Sequence, residues 1–399
     1  MTTIENVRDL PGPVGFCVSE GLPSRATALW LAEQGVPVHG FLADIGQRPR
    51  AELDRLAAEL VTAGLPTEVV DLRREMAELC LDVVRYQARY DDGYWNTTGA
   101  SRAVLVRGLS AVMGRRGLRV LGHASVSGGN DERRFAGYTA RIRPAMDVFT
   151  PWADPACGAA FADRAALAAF AAAHGLTLAG DEAVRSLDGN LGGYSHEGTE
   201  LERLAAHGAV QRVMSVSPEE APDQPESFVL TLRSGRPLRI DEEPVDALDA
   251  LLRANLVGGR NALGFFDVLE NRLNGTKCRG VYEAPGLDLL GRCVRRLYQA
   301  VLPLEDARKL QSLSAVLGTE LYAGRWFDER AAEARADADT IVGGATGTVE
   351  LSLYKGNTFF RSLRDVPAGS AVPRQARFGA GGFRWKVLDD TERKETSLV

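Results

Sequence analysis

The sequence lacks any long hydrophobic run. It has 399 residues, and none of its apolar stretches reaches the roughly 18 residues that a membrane helix needs. Its first ten residues, MTTIENVRDL, lack the basic and apolar regions of a signal peptide. Lys and Arg form no dense tract interleaved with aromatic residues, and the formal net charge is −6. We therefore expect a cytoplasmic protein that binds small molecules rather than nucleic acid or a membrane.

Cysteine is scarce and scattered. The five cysteines form no CxxC pair and no Cys/His cluster, so neither a disulfide framework nor a metal site is predicted. Basic residues occur only in short runs, such as Arg115-Arg116 and Arg295-Arg296, which we interpret as solvated helix ends.

Apolar residues make up 45% of the chain, enough for two ordinary globular domains. In the first half, short apolar runs alternate with helical periodicity, and this alternation predicts a doubly wound α/β domain built on a parallel sheet. Ligands of such domains bind at the carboxyl ends of the strands. The predicted strands are 14–18, 38–42, 67–72 and 119–121, and the predicted helices are 24–33, 49–63, 74–89 and 101–113.

The second half has a different pattern. The alanine-rich run at 161–173 predicts a packed helix that crosses between domains. From about residue 180, alternating segments such as 227–232 and 347–353 predict antiparallel strands, and hence a second, α+β domain. We predict domains at 1–175 and 176–370, followed by a C-terminal arm at 371–399.

The segment SEGLPSR, residues 19–25, lies between the first predicted strand and its helix. Many α/β domains hold phosphate at this position, because free backbone N–H groups and the positive helix end face the strand exit. The segment ADIGQ, residues 43–47, follows the second strand. Without other evidence, the first loop is equally compatible with an ordinary turn in which Pro23 begins the helix.

Four later blocks occur in an order that resembles a known family. They are YWNTTGASR with HASVSGGNDERRF (94–102 and 123–135), SLDGNLGGYSHEG (186–198), DVLENRLNGTKCRGVYEAP (267–285) and GTVELSLYKG (347–356). With the two loops, these blocks resemble argininosuccinate synthase along nearly the whole chain. The family carries SGGLDTS in the first loop and ADIGQ after the second strand.

The resemblance implies a fold, an activity and an assembly. The first domain would be of the adenine nucleotide α-hydrolase type and the second a synthetase and multimerisation domain, in a homotetramer. In that family the ureido oxygen of citrulline attacks the α-phosphorus of ATP and releases pyrophosphate. The amine of aspartate then displaces AMP from this adenylated intermediate. The chain is therefore expected to be an ATP-dependent C–N ligase that uses Mg²⁺ with ATP.

The resemblance also implies site residues. Contacts to the amino-acid substrates would be Tyr94, Asn130, Asp131, Arg134, Ser186, Ser195, Glu270 and Tyr282, of which Asn130, Asp131 and Arg134 would be catalytic. Contacts to ATP would be Ser19, Gly21, Ser24, Arg25 and Ala43. An acid, an arginine and hydroxyls suit a zwitterionic amino acid with a polar head. From the residues alone, Glu270, Arg272, Lys277 and Arg279 could equally form inter-strand ion pairs.

Departures from the family pattern concentrate on the ATP and aspartate side. A carboxylate near a phosphate repels it, and proline has no N–H to offer. Arg25 would either offset the carboxylate of Glu20 or occupy the phosphate position itself. The changed positions, each with the family residue in parentheses, are Glu20 (glycine), Pro23 (aspartate), Gly99 (serine), Ala124 (glycine), Val126 (threonine) and Gly128 (lysine).

Three functional hypotheses therefore remain open. The first is an argininosuccinate synthase-like ligase that joins a citrulline-like ureido or guanidino amino acid to an aspartate-like amine donor. The second is a homologue in specialised metabolism that binds an amino acid without adenylation, and the third is a non-catalytic sensor or partner subunit. His123, at a predicted strand end, is either a proton carrier or a histidine satisfied within the fold.

Overall fold

The computed structural model describes residues 1–91, 93–176, 186–197, 201 and 210–367. The first half is built on a parallel sheet of six strands. In chain order these are β1 (Thr3–Ile4), β2 (Val14–Val18), β3 (Val38–Asp44), β4 (Thr67–Asp71), β5 (Val120–His123) and β6 (Asp147–Phe149). Their spatial order is β1-β6-β5-β2-β3-β4. The chain leaves β2 first toward β3 and later toward β5, so the ligand-binding switch point lies between β2 and β5.

Helices flank this sheet, and the predicted doubly wound α/β fold is confirmed. All eight predicted elements are present, although the helix predicted at 74–89 ends at Arg85 and that predicted at 24–33 begins at Leu22. The sequence pattern did not predict β1, β6 or the helices at Asn130–Ile142 and Pro155–Ala160. The two strands and the second helix are short, and the first helix buries few apolar residues. The helices are α1 (Leu22–Glu33), α2 (Arg50–Thr62), α3 (Arg73–Arg85), α4 (Thr97–Arg115), α5 (Asn130–Ile142), α6 (Pro155–Ala160) and α7 (Arg164–Ala173).

The alanine-rich helix packs differently from the prediction. It begins at Arg164, where the carboxylate of Asp163 accepts a hydrogen bond from the Ala166 N–H at 2.8 Å. Leu167 and Ala171 share an apolar cluster with Trp30 of α1. The helix therefore belongs to the first domain and does not cross between domains.

The described residues of the second half form two antiparallel sheets and four helices, which confirms the α+β prediction. The strands are β7 (Ser186–Asn190), β8 (Gly193–Glu197), β9 (Glu226–Arg233), β10 (Arg236–Ile240), β11 (Glu243–Pro244), β12 (Phe265–Asn271), β13 (Lys277–Glu283), β14 (Gly347–Tyr354) and β15 (Asn357–Arg364). The sheet orders are β12-β13-β8-β7 and β11-β10-β9-β14-β15. The helices are α8 (Ala247–Arg260), α9 (Pro285–Val301), α10 (Leu304–Tyr322) and α11 (Glu329–Val342).

Two smaller expectations have different outcomes. Arg115 ends α4 as predicted, whereas Arg295 and Arg296 are exposed in the middle of α9, not at a helix end. In the part of the chain that the structure describes, no helix combines the length and the apolar character needed to cross a bilayer. The predicted arm at 371–399 lies outside the described residues.

The four-stranded sheet lies against the carboxyl edge of the parallel sheet. The N–H of Leu191, in the β7–β8 turn, donates to the carbonyl of Ile45 at 2.8 Å, and the hydroxyl of Tyr194 donates to the carbonyl of Gln47 at 2.6 Å. Both acceptors belong to the loop after β3. These contacts close one side of the cleft at the switch point.

Candidate active site

A network of charged side chains joins α4, α5 and β7. Arg102 donates to Asp131 at 2.8 Å and to Asp188 at 2.9 Å, and Arg134 donates to the other oxygen of Asp131 at 2.9 Å. Burial alone would raise the pKa of Asp131, but the guanidiniums of Arg102 and Arg134 outweigh it and lower the pKa to about 2. Asp131 is therefore ionised at neutral pH and holds both arginines in fixed positions.

A buried aromatic cluster lies next to this network. The rings of Tyr94 and Tyr282 stack with their centroids 3.9 Å apart, and Tyr322 stands edge-on to Tyr94 at 6.4 Å. Beside them, Glu270 is only 3% exposed, and its Oε1 accepts a hydrogen bond from the Tyr322 hydroxyl at 2.8 Å. Its Oε2 has no hydrogen-bond partner among the described residues. This buried, unsatisfied carboxylate oxygen is chemically suited to an ammonium or amide N–H group.

Burial raises the pKa of Glu270, and the hydrogen bond from Tyr322 partly offsets that effect. A ligand cation would favour the ionised form further, because an opposite charge within a few ångströms lowers a carboxyl pKa. The site therefore favours a positively charged group at Oε2.

Hydroxyl groups line the side of the cluster that faces α4. The Tyr94 hydroxyl accepts a hydrogen bond from the Thr98 N–H at 2.8 Å, and the Thr98 and Ser195 hydroxyls lie 3.1 Å apart. Ser195 on β8 is the register partner of Tyr282 on β13. The sheet register and the first turn of α4 together bring three predicted contacts, Tyr94, Ser195 and Tyr282, to one place.

Asn130 connects the tyrosine cluster to the turn between β12 and β13. It begins α5, and its amide nitrogen donates to the Tyr322 hydroxyl at 3.2 Å. Its amide oxygen accepts a hydrogen bond from the Leu273 N–H, in the β12–β13 turn, at 3.4 Å. Ser186 begins β7 opposite Glu197, two residues before the network member Asp188.

The first loop joins β2 to α1 without a side-chain cap. Gly21 precedes the helix, and Pro23 lies in its first turn, where it removes one of the amides that face a ligand. The Ser24 hydroxyl accepts a hydrogen bond from the Ser19 N–H at 2.9 Å. The side chain of Arg25 is 1% exposed and lies 3.4 Å from Glu59 of α2. Its charge is therefore compensated within the fold.

The loops after β3 and β5 complete this edge. The carbonyl of Ala43 accepts a hydrogen bond from the Gln47 amide at 2.7 Å, so Ala43 is fixed by its own loop. In the loop before α5, Gly128 has φ +76° and donates to Glu132 at 2.5 Å, while Val126 is 72% exposed. The amino ends of α1 and α5 thus follow the adjacent strands β2 and β5, an arrangement that attracts anions.

Two buried histidines, His123 and His196, lie near the site. His123 accepts a hydrogen bond from the Ser125 N–H at 3.2 Å and stacks on Phe135. Burial lowers its pKa to about 4, so the ring is neutral at neutral pH. His196 lies 2.8 Å from Glu283, a carboxylate that also accepts hydrogen bonds from the N–H groups of residues 213–215. His196 therefore belongs to a structural contact.

The alternative of inter-strand ion pairs holds for only part of the β12–β13 block. Arg279 donates to Asp267 across the two strands at 2.8 Å. Glu270 instead faces the hydroxyl of Tyr322 and the thiol of Cys278. Glu270 is therefore part of the pocket, whereas Arg279 stabilises the strand pair.

Tyr322 was missed from sequence. It contacts Asn130, Arg134 and Glu270, yet it lies at the end of α10, outside every block that resembles the family. A single tyrosine at the end of a helix normally indicates packing, so no local sequence signal marks Tyr322 as a site residue. Arg102 and Asp188 do lie in resembling blocks, and only the tertiary structure shows that they hold Asp131.

Close packing of α4 against α10 gives a testable expectation for Gly99. A Cβ at this position would lie 2.7 Å from the carbonyl oxygen of Leu321. Alanine is better than glycine in a helix interior by about 1 kcal/mol, but this contact is with backbone and does not yield easily. We expect Gly99→Ala to lower the free energy of unfolding by about 1–3 kcal/mol in chemical denaturation.

Gly114, in the same helix, is the matched control. A Cβ there would meet nothing within 4 Å. Gly114→Ala is expected to raise the free energy of unfolding by about 0.5–1 kcal/mol. Equal stabilisation by both substitutions would show that the contact between Gly99 and Leu321 does not limit packing.

Comparison with known proteins gives two kinds of match. Two solved structures are similar over part of the chain: a predicted subunit of tRNA methyltransferase from Methanocaldococcus jannaschii and the glycosyltransferase SnogD from Streptomyces nogalater. The first is 16% identical over 41% of this chain and 76% of that chain, with a TM-score of 0.26. The second is 20% identical over 42% and 41%, with a TM-score of 0.23. Because both TM-scores are low, neither match indicates the fold or the function of this chain.

The family comparison covers nearly the whole chain. The arginosuccinate synthase N-terminal HUP domain matches residues 14–185. The arginosuccinate synthase C-terminal domain matches residues 185–365. The blocks that resemble this family and the pocket that they form fall within these two matches. The chain therefore belongs to the argininosuccinate synthase family.

Proposed function

We propose that this protein is an ATP-dependent C–N ligase that joins a citrulline-like ureido or guanidino amino acid to an amine donor. The observation that carries the proposal is the pocket formed by Glu270, Asn130, the tyrosine cluster and the Arg102–Asp131–Arg134 network. Membership of the family supports the ligase class, and the HUP domain supports nucleotide binding. The resemblance supplies the proposed chemistry, in which the acceptor is activated as an adenylate that the amine attacks.

The pocket chemistry fits an amino acid. One carboxylate oxygen of Glu270 is buried without a hydrogen-bond partner among the described residues. A charge-assisted hydrogen bond from an ammonium group to such an oxygen is strong. The hydroxyls of Thr98 and Ser195 and the amide of Asn130 supply donors and acceptors for a planar polar head. Tyr322 holds Glu270 and Asn130, and the Thr98 and Ser195 hydroxyls hold each other, so these groups are positioned before the ligand arrives.

The nucleotide side fits less completely. The amino ends of α1 and α5 supply a positive potential for a triphosphate, but Glu20 and Pro23 oppose it. Among the described residues, no group of three or more His, Cys, Asp and Glu side chains has the arrangement of a metal site. Mg²⁺ usually needs one or two carboxylates beside the phosphates. We propose, as the resemblance implies, that Mg²⁺ enters bound to ATP.

A second candidate function is favoured by the same loop. A chain that binds an amino acid without adenylation would keep the Glu270 pocket and lose the phosphate contacts. The pairing of the buried Arg25 with Glu59 supports this alternative, because that cation is already used.

The two candidates predict different results in one experiment. Pyrophosphate release is measured with ATP, L-citrulline and a panel of amines that includes aspartate. It is repeated with the double variant Glu20→Gly, Pro23→Asp. Release by the natural chain supports the ligase. Release by the double variant alone shows that the loop decides activity, and amino-acid binding with no ATP binding in calorimetry supports the second candidate.

We also propose a homotetramer, as the family resemblance implies. Sedimentation equilibrium of the full chain measures this directly. A monomer at micromolar concentration would contradict the proposal.

A further inference from the structure

We propose that Tyr322 is a positioning residue of the amino-acid pocket, whose hydroxyl orients both Glu270 and Asn130 toward the ligand. The proposal rests on the proposed function for the identity of the ligand. It depends on the geometry around Tyr322 for everything else. Neither the blocks that resemble the family nor the predicted contacts include this residue.

The hydroxyl of Tyr322 has one proton, and its neighbours determine where that proton goes. Glu270 Oε1, at 2.8 Å, can only accept when ionised, so the tyrosine donates to it. The Asn130 amide nitrogen, at 3.2 Å, then donates to the tyrosine oxygen. This sequence of bonds fixes which end of the Asn130 amide faces Tyr322, and it leaves Glu270 Oε2 as the oxygen without a hydrogen-bond partner among the described residues.

The ring of Tyr322 is held by a stacked ring and by a guanidinium. The ring of Tyr90 stacks on it with a centroid distance of 3.7 Å, and the guanidinium of Arg134 lies 5.0 Å from its centroid. Arg134 also donates to the carbonyl oxygen of Tyr322 at 2.9 Å. The side chain is 2% exposed. The hydroxyl is therefore fixed relative to the pocket.

Glycines set the distance of this segment from α4 and α5. A Cβ at Gly99 would lie 2.7 Å from the carbonyl of Leu321, and a Cβ at Gly324 would lie 2.9 Å from the Cα of Arg134. Gly324 also has φ +76°, which side chains adopt rarely. The residues on both sides of Tyr322 therefore contact neighbouring backbone closely enough to place its hydroxyl between Glu270 and Asn130.

The test removes one oxygen atom. Tyr322→Phe keeps the ring, its stacking and its backbone contacts, and loses only the two hydrogen bonds. Tyr90→Phe is the matched control, because it removes the hydroxyl of the stacked ring, which donates to the Asn271 carbonyl instead. The titration of Glu270 is followed by carbon-13 NMR of the ligand-free protein, with Glu270→Gln used to assign its signal.

We expect the pKa of Glu270 to be higher in Tyr322→Phe than in the natural chain, because a hydrogen bond to the ionised form is lost. The pKa in Tyr90→Phe should be unchanged. Equal values in all three proteins would overturn the proposal. A residue with only a packing role would not move this titration.

A second measurement connects the geometry to the ligand. Calorimetry with L-citrulline and other ureido and guanidino amino acids is expected to show roughly 10- to 100-fold weaker binding in Tyr322→Phe and unchanged binding in Tyr90→Phe. Equal binding by Tyr322→Phe and the natural chain would overturn the positioning role of Tyr322 but not the proposed function. If the natural chain binds none of these compounds, the proposed function fails, and the titration of Glu270 still decides whether Tyr322 orients that carboxylate.

Discussion

Asp131→Asn is expected to lower the free energy of unfolding by about 3 kcal/mol and to abolish amino-acid binding. The substitution leaves Arg134 without its carboxylate partner and leaves Arg102 paired with Asp188 alone. Removing one partner of a buried ion pair costs about 3–5 kcal/mol. The lower end of this range applies because the Asp131 side chain is 27% exposed and therefore only partly buried. Urea denaturation at neutral pH measures the change.

The same prediction has a pH dependence. The pKa of Asp131 is lowered to about 2 in the folded protein, below the ordinary value of 3.8. Its contribution to stability is therefore fully present above about pH 4, and it is lost as the pH falls toward 2. The difference between the natural chain and Asp131→Asn should shrink over this window in thermal unfolding experiments.

Asp267→Asn is the matched control, because Asp267 forms an ion pair with Arg279 but is 43% exposed. Exposed pairs contribute about 0–1 kcal/mol, so this variant should remain near the stability of the natural chain. Similar losses in the two variants would contradict the special role of the Asp131 network.

Glu20→Gln is expected to strengthen ATP binding by roughly 10- to 100-fold. The carboxylate precedes the amino end of α1, where the triphosphate is proposed to bind. Two like charges about 4 Å apart repel by roughly 4 kcal/mol at an effective dielectric near 20. Solvent at the partly exposed loop reduces this, and about 1.4 kcal/mol corresponds to a factor of ten in affinity. Calorimetric titration with Mg-ATP measures the effect.

Glu305→Gln removes the same charge from the exposed first turn of α10, and it should leave ATP affinity unchanged. An equal gain in both variants would indicate a general charge effect. If Glu20→Gln leaves ATP binding unchanged or absent, the carboxylate is not what limits the nucleotide site.

Much of the architecture follows from local patterns. The buried strand β2 is a continuous apolar run, β3 is largely apolar apart from His39 and Asp44, and proline and glycine mark the ends of α2. The positions of these elements can therefore be predicted without tertiary information. The short strands β1 and β6 were missed, because two or three residues carry no periodic signal. Pairing with the neighbouring strands stabilises them.

The residues of the candidate site likewise include some that the sequence identifies and some that only the structure identifies. Glu270, Tyr282 and Asn130 are readable because they lie in long blocks that resemble the family. The role of Tyr322 is not readable, since its partners are 52 residues away for Glu270 and 192 for Asn130. Arg25 shows the converse case, because its sequence position suggested a phosphate ligand and its side chain lies on Glu59.

The sequence by itself determined the two-domain α/β and α+β architecture, the family and the types of side chain available for an amino-acid ligand. Those properties depend on residue periodicity and on contiguous motifs. Only the tertiary structure decided that Asp131 holds two arginines, that Tyr322 orients Glu270, and that the charge of Arg25 is used by α2. Except for Asp131 with Arg134, which are three residues apart on α5, these contacts join residues distant in the chain. Packing rather than local preference sets their distances.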